Sequence, residues 1–124
     1  MAKETVANLD WNHLGFEYHD LPYSFNEEFK DGQWQGGTLT ESSTLTLSEA
    51  AEVLHYGQEV FEGLKAYRTK NGHINLFRPE ENAKRLANSA KRMLMEPYPE
   101  DKFVEAVKQV VLANEEFVPP YGTG

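Results

Sequence analysis

A strand–turn–strand pattern followed by a proline is the feature that most constrains the fold of this chain. Residues 60–69 are predicted to form a strand, Asn71-Gly72 is a type I′ turn signal, and residues 73–77 form the return strand. Period-two alternation divides the first strand into two faces, Phe61, Gly63, Lys65 and Tyr67 on one and Val60, Leu64 and Ala66 on the other. Because both faces carry apolar residues, we expect this strand to be covered on both sides.

Two amphipathic helices are predicted after this hairpin. Pro79 suits the first position of a helix, where its missing N–H costs nothing, and Pro97 and Pro99 end that helix. Its apolar stripe is predicted to consist of Ala83, Leu86, Ala87, Ala90, Met93 and Leu94. The second helix covers about residues 99–116, with a buried face of Phe103, Ala106, Val107, Val110 and Val111.

The first half of the chain favours short strands and one short helix. Residues 16–35 are strand-like, with Phe16 and Tyr18 alternating with polar residues and Asp31-Gly32 joining a hairpin. Residues 38–47 fit one or two further strands. Residues 48–54 are predicted to form a short helix with Ser48 as its N-cap, ended by Gly57.

These elements predict an α/β domain of the α+β two-layer kind, with a mostly antiparallel sheet and helices packed on it. We expect residues 1–13 to form a loose N-terminal arm anchored by Trp11, residues 14–118 to form the domain, and residues 119–124 to begin a connector. A chain of 124 residues has the length of one domain. We also expect Gly124 to be a cut within a longer protein, because a Pro-Gly-rich connector there has nothing to connect.

Composition excludes several classes of function. The chain has no cysteine, so it has no disulfide framework and no thiolate chemistry. A sequence pI near 4.9 argues against nucleic-acid binding, and no apolar run approaches the roughly 20 residues of a membrane span. The four histidines lack metal-ligand spacing, and no Walker loop or G-x-G-x-x-G motif is present. These observations favour a cytoplasmic globular protein without a metal site.

Charge is distributed unevenly along the acidic chain. Its formal net charge is −8, yet residues 65–92 hold eight Lys or Arg and only two acidic residues, Glu80 and Glu81. Within this segment Arg85 lies more than 90° from the centre of the apolar stripe on its helix. It is either a solvated surface arginine or a fork that binds an anion such as a phosphate. Lys65 is unusual within an apolar strand and is expected to need an acidic partner or a cavity.

Two segments resemble the branched-chain amino acid aminotransferases, which are fold-type IV enzymes dependent on pyridoxal 5′-phosphate. Residues 55–63 read HYG-x-x-x-FEG, and residues 76–86 read LFRP-x-x-N-x-x-RL. The start near Phe16 and the final VPPYGTG segment are also similar to the larger bacterial members. The resemblance covers nearly the whole chain and implies the small N-terminal domain of a two-domain, cytoplasmic, homodimeric enzyme.

The resemblance also implies roles for four residues. Arg85 matches the arginine that binds the cofactor phosphate, and Tyr56 and Phe61 match the aromatic residues of the substrate pocket. Lys65 occupies the position where some bacterial members carry an arginine for the glutamate side-chain carboxylate. The implied substrates are leucine, isoleucine and valine, with glutamate and 2-oxoglutarate as the other amino-group donor and acceptor.

One departure from the family limits what this chain can do alone. The family's Schiff-base lysine lies far downstream, and none of the eight lysines here has its sequence context. We therefore expect no catalytic residue before Gly124 and an inactive isolated chain. Two alternatives remain open. One is another fold-type IV enzyme, a D-amino acid aminotransferase or an aminodeoxychorismate lyase. The other is a non-catalytic domain for assembly or ligand binding.

Overall fold

The chain folds into short strands followed by two longer helices. The structure, a computed structural model, describes residues 2–124, so Met1 of the predicted arm lies outside the described residues. The strands are β1 (Ser24–Asn26), β2 (Phe29–Lys30), β3 (Gln33–Trp34), β4 (Thr38–Thr40), β5 (Ala66–Arg68) and β6 (Ile74–Leu76). The helices are α1 (Glu52–Tyr56), α2 (Pro79–Arg92) and α3 (Glu100–Ala113).

All strand pairing is antiparallel, which confirms the predicted α+β class. The strands form three separate pairs, β1 with β4, β2 with β3 and β5 with β6. Within residues 2–124 the predicted sheet is therefore divided into three two-stranded units, each with unpaired edges. Since a lone two-stranded unit is only marginally stable in water, these strands depend on the helices and loops around them.

The two predicted hairpins close in different ways. Asp31 and Gly32 have φ angles of 52° and 76°, which is the left-handed pair that a type I′ turn requires. The Asn71-Gly72 prediction of a type I′ turn is wrong, because only Gly72 has a positive φ, of 84°. The Gly72 N–H donates to the Thr69 carbonyl at 3.0 Å, as in a type I turn followed by a left-handed glycine.

The predicted strand over residues 60–69 is paired over only three residues, those of β5. Burial nevertheless alternates along it, as predicted: Val60, Leu64 and Ala66 are half-buried, whereas Phe61, Gly63, Lys65 and Tyr67 are exposed. The expectation that both faces are covered is wrong for this chain. Residues 60–65 have strand-like alternation but no partner strand among the described residues, and pairing needs a neighbour to accept its hydrogen bonds.

The predicted periodicity is confirmed for α2, whereas the predicted buried face of α3 is only half-buried. Helix α2 begins at Pro79 and buries Ala83, Ala87 and Ala90, but the assignment of Met93 and Leu94 to its stripe is wrong, because the helix ends at Arg92 and both side chains are exposed. Leu94 follows the helix with a φ of 58° and a fully exposed side chain. Helix α3 ends at Ala113, and residues 115–117 continue as a 3₁₀ turn. Helix α1 starts at Glu52, later than predicted, because Ser48 binds the Ala50 N–H within a preceding turn.

The N-terminal segment differs from the prediction in two places. Residues 16–18 lie outside any strand, and the Phe16 and Tyr18 side chains are exposed. The predicted arm is tied down by Lys3, whose ammonium lies 3.0 Å from the buried Asp20 carboxylate. The Glu4 N–H also donates to the Asp20 carbonyl at 2.8 Å. The arm is thus anchored near its start by an ion pair, in addition to any contact of the predicted anchor Trp11.

The core is small and loosely filled. Helix α2 packs on α3, and the buried apolar residues are Ala83, Ala87, Ala90 and Val118. A cavity of about 730 Å³ lies between the helices and the strands, bordered by Trp34, Leu64 and Phe103 among others. The solvent-accessible surface is 9414 Å², against about 6,800 Å² expected for a folded monomer of 14.2 kDa. The fold therefore leaves far more surface in water than its mass requires.

Candidate functional site

Arg85 forms the centre of the candidate site. It projects from the second turn of α2, and its side chain is 65% exposed, as the helical periodicity predicts. Its Nε and Nη2 atoms donate to the two carboxylate oxygens of Glu62, with an Nη2–Oε2 distance of 2.7 Å. The side chain of Glu62 is only 7% exposed. A nearly buried carboxylate thus holds one edge of an exposed guanidinium.

Asn82 holds the same carboxylate from α2. Its Nδ2 atom donates to Glu62 Oε2 at 2.7 Å and to the Gly63 carbonyl at 2.9 Å. Asn82 and Arg85 are three residues apart, which places both side chains on one face of the helix. The extended segment before β5 is consequently fastened to α2 at Glu62 and Gly63, although it has no strand partner there.

Electrostatics keep this pair ionised. Hydrogen bonds from Arg85, and more weakly from Asn82, lower the pKa of the Glu62 carboxyl below its ordinary value, against the opposing effect of burial. The hydrogen bond to Glu62 raises the pKa of Arg85. At neutral pH the site is therefore a carboxylate–guanidinium pair with no net charge.

The remaining donors of Arg85 fit a phosphate. A guanidinium has five N–H groups, and the contact with Glu62 uses one on Nε and one on Nη2. Three N–H groups remain, two on Nη1 and one on Nη2, and they form the end-on fork that matches a phosphate bidentately. The free edge of Arg85 therefore has the geometry to bind a phosphate group.

The two predicted pocket aromatics are exposed. Tyr56 ends α1 and is 83% exposed, and Phe61 is 88% exposed. Phe61 directly precedes Glu62, so the backbone brings it beside the anchor of Arg85. Tyr56 is followed by Gly57 in a left-handed conformation, and Gln58 then donates to the Met93 carbonyl at 2.8 Å. Both aromatic side chains are available to a ligand or to another polypeptide surface.

Lys65 lies on the exposed face of the predicted strand. Its side chain is exposed and borders two cavities, one between the strands and helices and one against residues 117–124. Within residues 2–124 its ammonium has no carboxylate within 4.0 Å. Of the two alternatives expected for Lys65, an acidic partner or a cavity, the structure shows the cavity.

Glu62 and Asn82 were missed as site residues by the sequence reasoning. Both belong to the quoted motifs, yet Glu62 lies 23 residues from Arg85 in the chain. The one available signal was the three-residue spacing of Asn82 and Arg85. Across the described part of the chain, no group of three potential metal ligands occurs, and no helix is long and apolar enough to cross a membrane.

Comparison with known proteins places the chain beside one group of transaminases. It is 53% identical over 119 residues, 96% of its length, to a branched-chain-amino-acid aminotransferase of Haemophilus influenzae. It is 48% identical to the branched-chain-amino-acid aminotransferase of Helicobacter pylori, over 96% of the chain, and to a chloroplastic one of Humulus lupulus, over 98%. The chain spans 35%, 35% and 30% of the lengths of these relatives. No family model matches it.

Proposed function

Because this chain is homologous over nearly its whole length to the branched-chain-amino-acid aminotransferases, we propose that it is the small N-terminal domain of such an enzyme. The whole enzyme transfers the amino group of leucine, isoleucine or valine to 2-oxoglutarate with pyridoxal 5′-phosphate. The observation that carries this proposal is the 53% identity over 119 residues of the chain.

The exposed surface supports a domain that is completed by further polypeptide. The solvent-accessible surface of this chain exceeds that of a compact monomer by about 2,600 Å². A standard protein interface buries about 800 Å² on each of its two partners. We propose that a larger domain, and a second subunit of a homodimer, cover this surface. Residues 14–118 then form the small domain, residues 1–13 its arm, and residues 119–124 the start of the connector.

Each site residue has a role in this proposal. Arg85 binds the cofactor phosphate through its end-on fork. Tyr56 and Phe61 form one wall of the substrate pocket, where they contact the apolar side chain and exclude water. Lys65 attracts the side-chain carboxylate of glutamate as a point charge, without the fork geometry of an arginine.

The cofactor supplies the chemistry that side chains lack. When bound, pyridoxal 5′-phosphate provides the aldehyde that receives the amino group and the ring that stabilises carbanion character at the substrate α-carbon. The lysine that carries the cofactor and moves the α-proton lies beyond Gly124 in this proposal. The residues described here bind and orient; they do not perform the proton transfer.

The decisive experiment assays the protein that the native gene encodes. With pyridoxal 5′-phosphate and 2-oxoglutarate, we expect glutamate formation from leucine, isoleucine and valine, and none from D-alanine. The 124-residue chain serves as the matched control and should form no glutamate. A full-length protein that prefers D-alanine, or one that transfers no amino group at all, would refute the proposal.

A further inference from the structure

The carboxylate beside Arg85 needs an explanation that phosphate binding alone does not give. A phosphate-binding arginine gains affinity from its positive charge, and Glu62 cancels that charge at 2.7 Å. A carboxylate in this place either orients the guanidinium or competes with the phosphate for it. The two possibilities predict opposite effects when the carboxylate is removed.

The geometry favours orientation. Glu62 occupies the Nε edge of the guanidinium, and the other edge, between Nη1 and Nη2, has no partner among residues 2–124. A phosphate on that second edge does not displace the carboxylate from the first. Because the guanidinium is planar, holding it along one edge also fixes the direction of its remaining N–H groups. Bidentate binding of a phosphate requires N–H groups that are fixed in this way.

The carboxylate is itself fixed. Its side chain is nearly buried, and Asn82 donates to it while also donating to the Gly63 carbonyl. Asn82 and Arg85 come from one rigid helix, whereas Glu62 comes from the segment before β5. The contact therefore sets the position of the guanidinium relative to Phe61 and to the segment that carries it.

We propose that Glu62, held by Asn82, is a positioning residue that aims the end-on fork of Arg85 at the phosphate of the cofactor. This inference rests on the proposed function, since it takes pyridoxal 5′-phosphate as the ligand of Arg85. Glu62 touches neither the phosphate nor the substrate; it acts through the guanidinium.

The test measures cofactor affinity in the full-length protein, by fluorescence titration with pyridoxal 5′-phosphate and with pyridoxal, which lacks the phosphate. Glu62→Gln keeps the shape but turns one acceptor into a donor facing Arg85. We expect it to weaken pyridoxal 5′-phosphate binding about tenfold or more and to leave pyridoxal binding unchanged, as for other groups that orient a ligating residue. Asn82→Ala should weaken it in the same direction by a smaller factor.

The matched control is Glu81→Gln, which removes a carboxylate on the same helix that lies near Arg78 and Lys84. It should leave both affinities unchanged, which separates positioning from the general loss of negative charge. In the 124-residue chain, the ¹⁵N spectrum of the arginine Nε–H groups provides a readout without cofactor. Glu62→Gln should accelerate solvent exchange of the Arg85 Nε–H.

The outcomes separate this inference from the proposed function. Unchanged or tighter pyridoxal 5′-phosphate binding by Glu62→Gln overturns the positioning role, and tighter binding identifies Glu62 as a competitor. Arg85→Ala tests the function itself. If it weakens pyridoxal 5′-phosphate binding while Glu62→Gln does not, only the inference fails. If Arg85→Ala changes nothing, Arg85 is not the phosphate ligand and both fail.

Discussion

Glu27 joins the β2–β3 hairpin to the start of α3 through three donors. Its carboxylate accepts from the Tyr98 hydroxyl at 2.7 Å, the Gly36 N–H at 3.0 Å and the Lys102 ammonium at 3.3 Å. The hydrogen bond from Tyr98 is the largest effect that lowers the pKa of the Glu27 carboxyl, and burial opposes it. Burial, followed by the hydrogen bond to Glu27, raises the pKa of the Tyr98 hydroxyl. Glu27 is therefore ionised and its partner neutral at neutral pH.

This contact predicts an acid-sensitive fold. A carboxyl whose pKa is lowered on folding stabilises the protein fully above its unfolded-state pKa and ceases to do so as the pH falls through the folded-state value. Tyr98→Phe removes the strongest cause, so the pKa of Glu27 should rise and acid unfolding should begin at higher pH. Circular dichroism between pH 7 and 2 measures the midpoint. Tyr121→Phe, at an exposed tyrosine, is the control; equal midpoints for the two variants would contradict the prediction.

At the scale of the elements, the helices could be predicted from the sequence, whereas the strands could be predicted only in part. The hydrogen bonds of α2 lie within one segment, so Pro79 and the alanine stripe suffice to define it. A strand needs a partner, and residues 60–65 have none among the described residues despite their alternating burial. The site could likewise be predicted only in part. Helical periodicity predicts the exposure of Arg85, but its partner Glu62 lies 23 residues away in the chain, so no local pattern predicts their contact.

The burial of one face of α2 predicts that the same substitution has different effects on stability at two neighbouring positions. Ala87 is buried on α2, the helix that packs on α3, whereas Asn88 is exposed. Ala87→Leu adds three carbons at a position that is already buried, so neighbouring atoms must move, and it should lower the free energy of unfolding by about 1–3 kcal/mol. Asn88→Leu introduces the same side chain in solvent and should change it by less than about 0.5 kcal/mol. Urea denaturation of the two variants measures the difference, and equal midpoints would contradict the tight burial of Ala87.

At the scale of the whole molecule, the surface exceeds that of a compact monomer while the core lacks large buried side chains. No large side chain among residues 2–124 is fully buried, and Tyr56, Phe61 and Phe77 are exposed. Monomeric proteins seldom expose so much apolar surface without a partner for it. The loose core and the open surface have one explanation in the proposed function, since both belong to a domain that completes its packing against further polypeptide.

The isolated chain should therefore self-associate. Contact between exposed aromatic side chains removes apolar area from water, which drives association without any specific partner. Light scattering should show a mass above 14.2 kDa that rises with concentration. The double variant Tyr56→Ser with Phe61→Ser should return the mass towards the monomer. The matched control Phe16→Ser removes an aromatic residue that is fully exposed elsewhere in the chain. A monomeric parent chain at high concentration, or an equal effect of the control, would show that Tyr56 and Phe61 do not form the association surface.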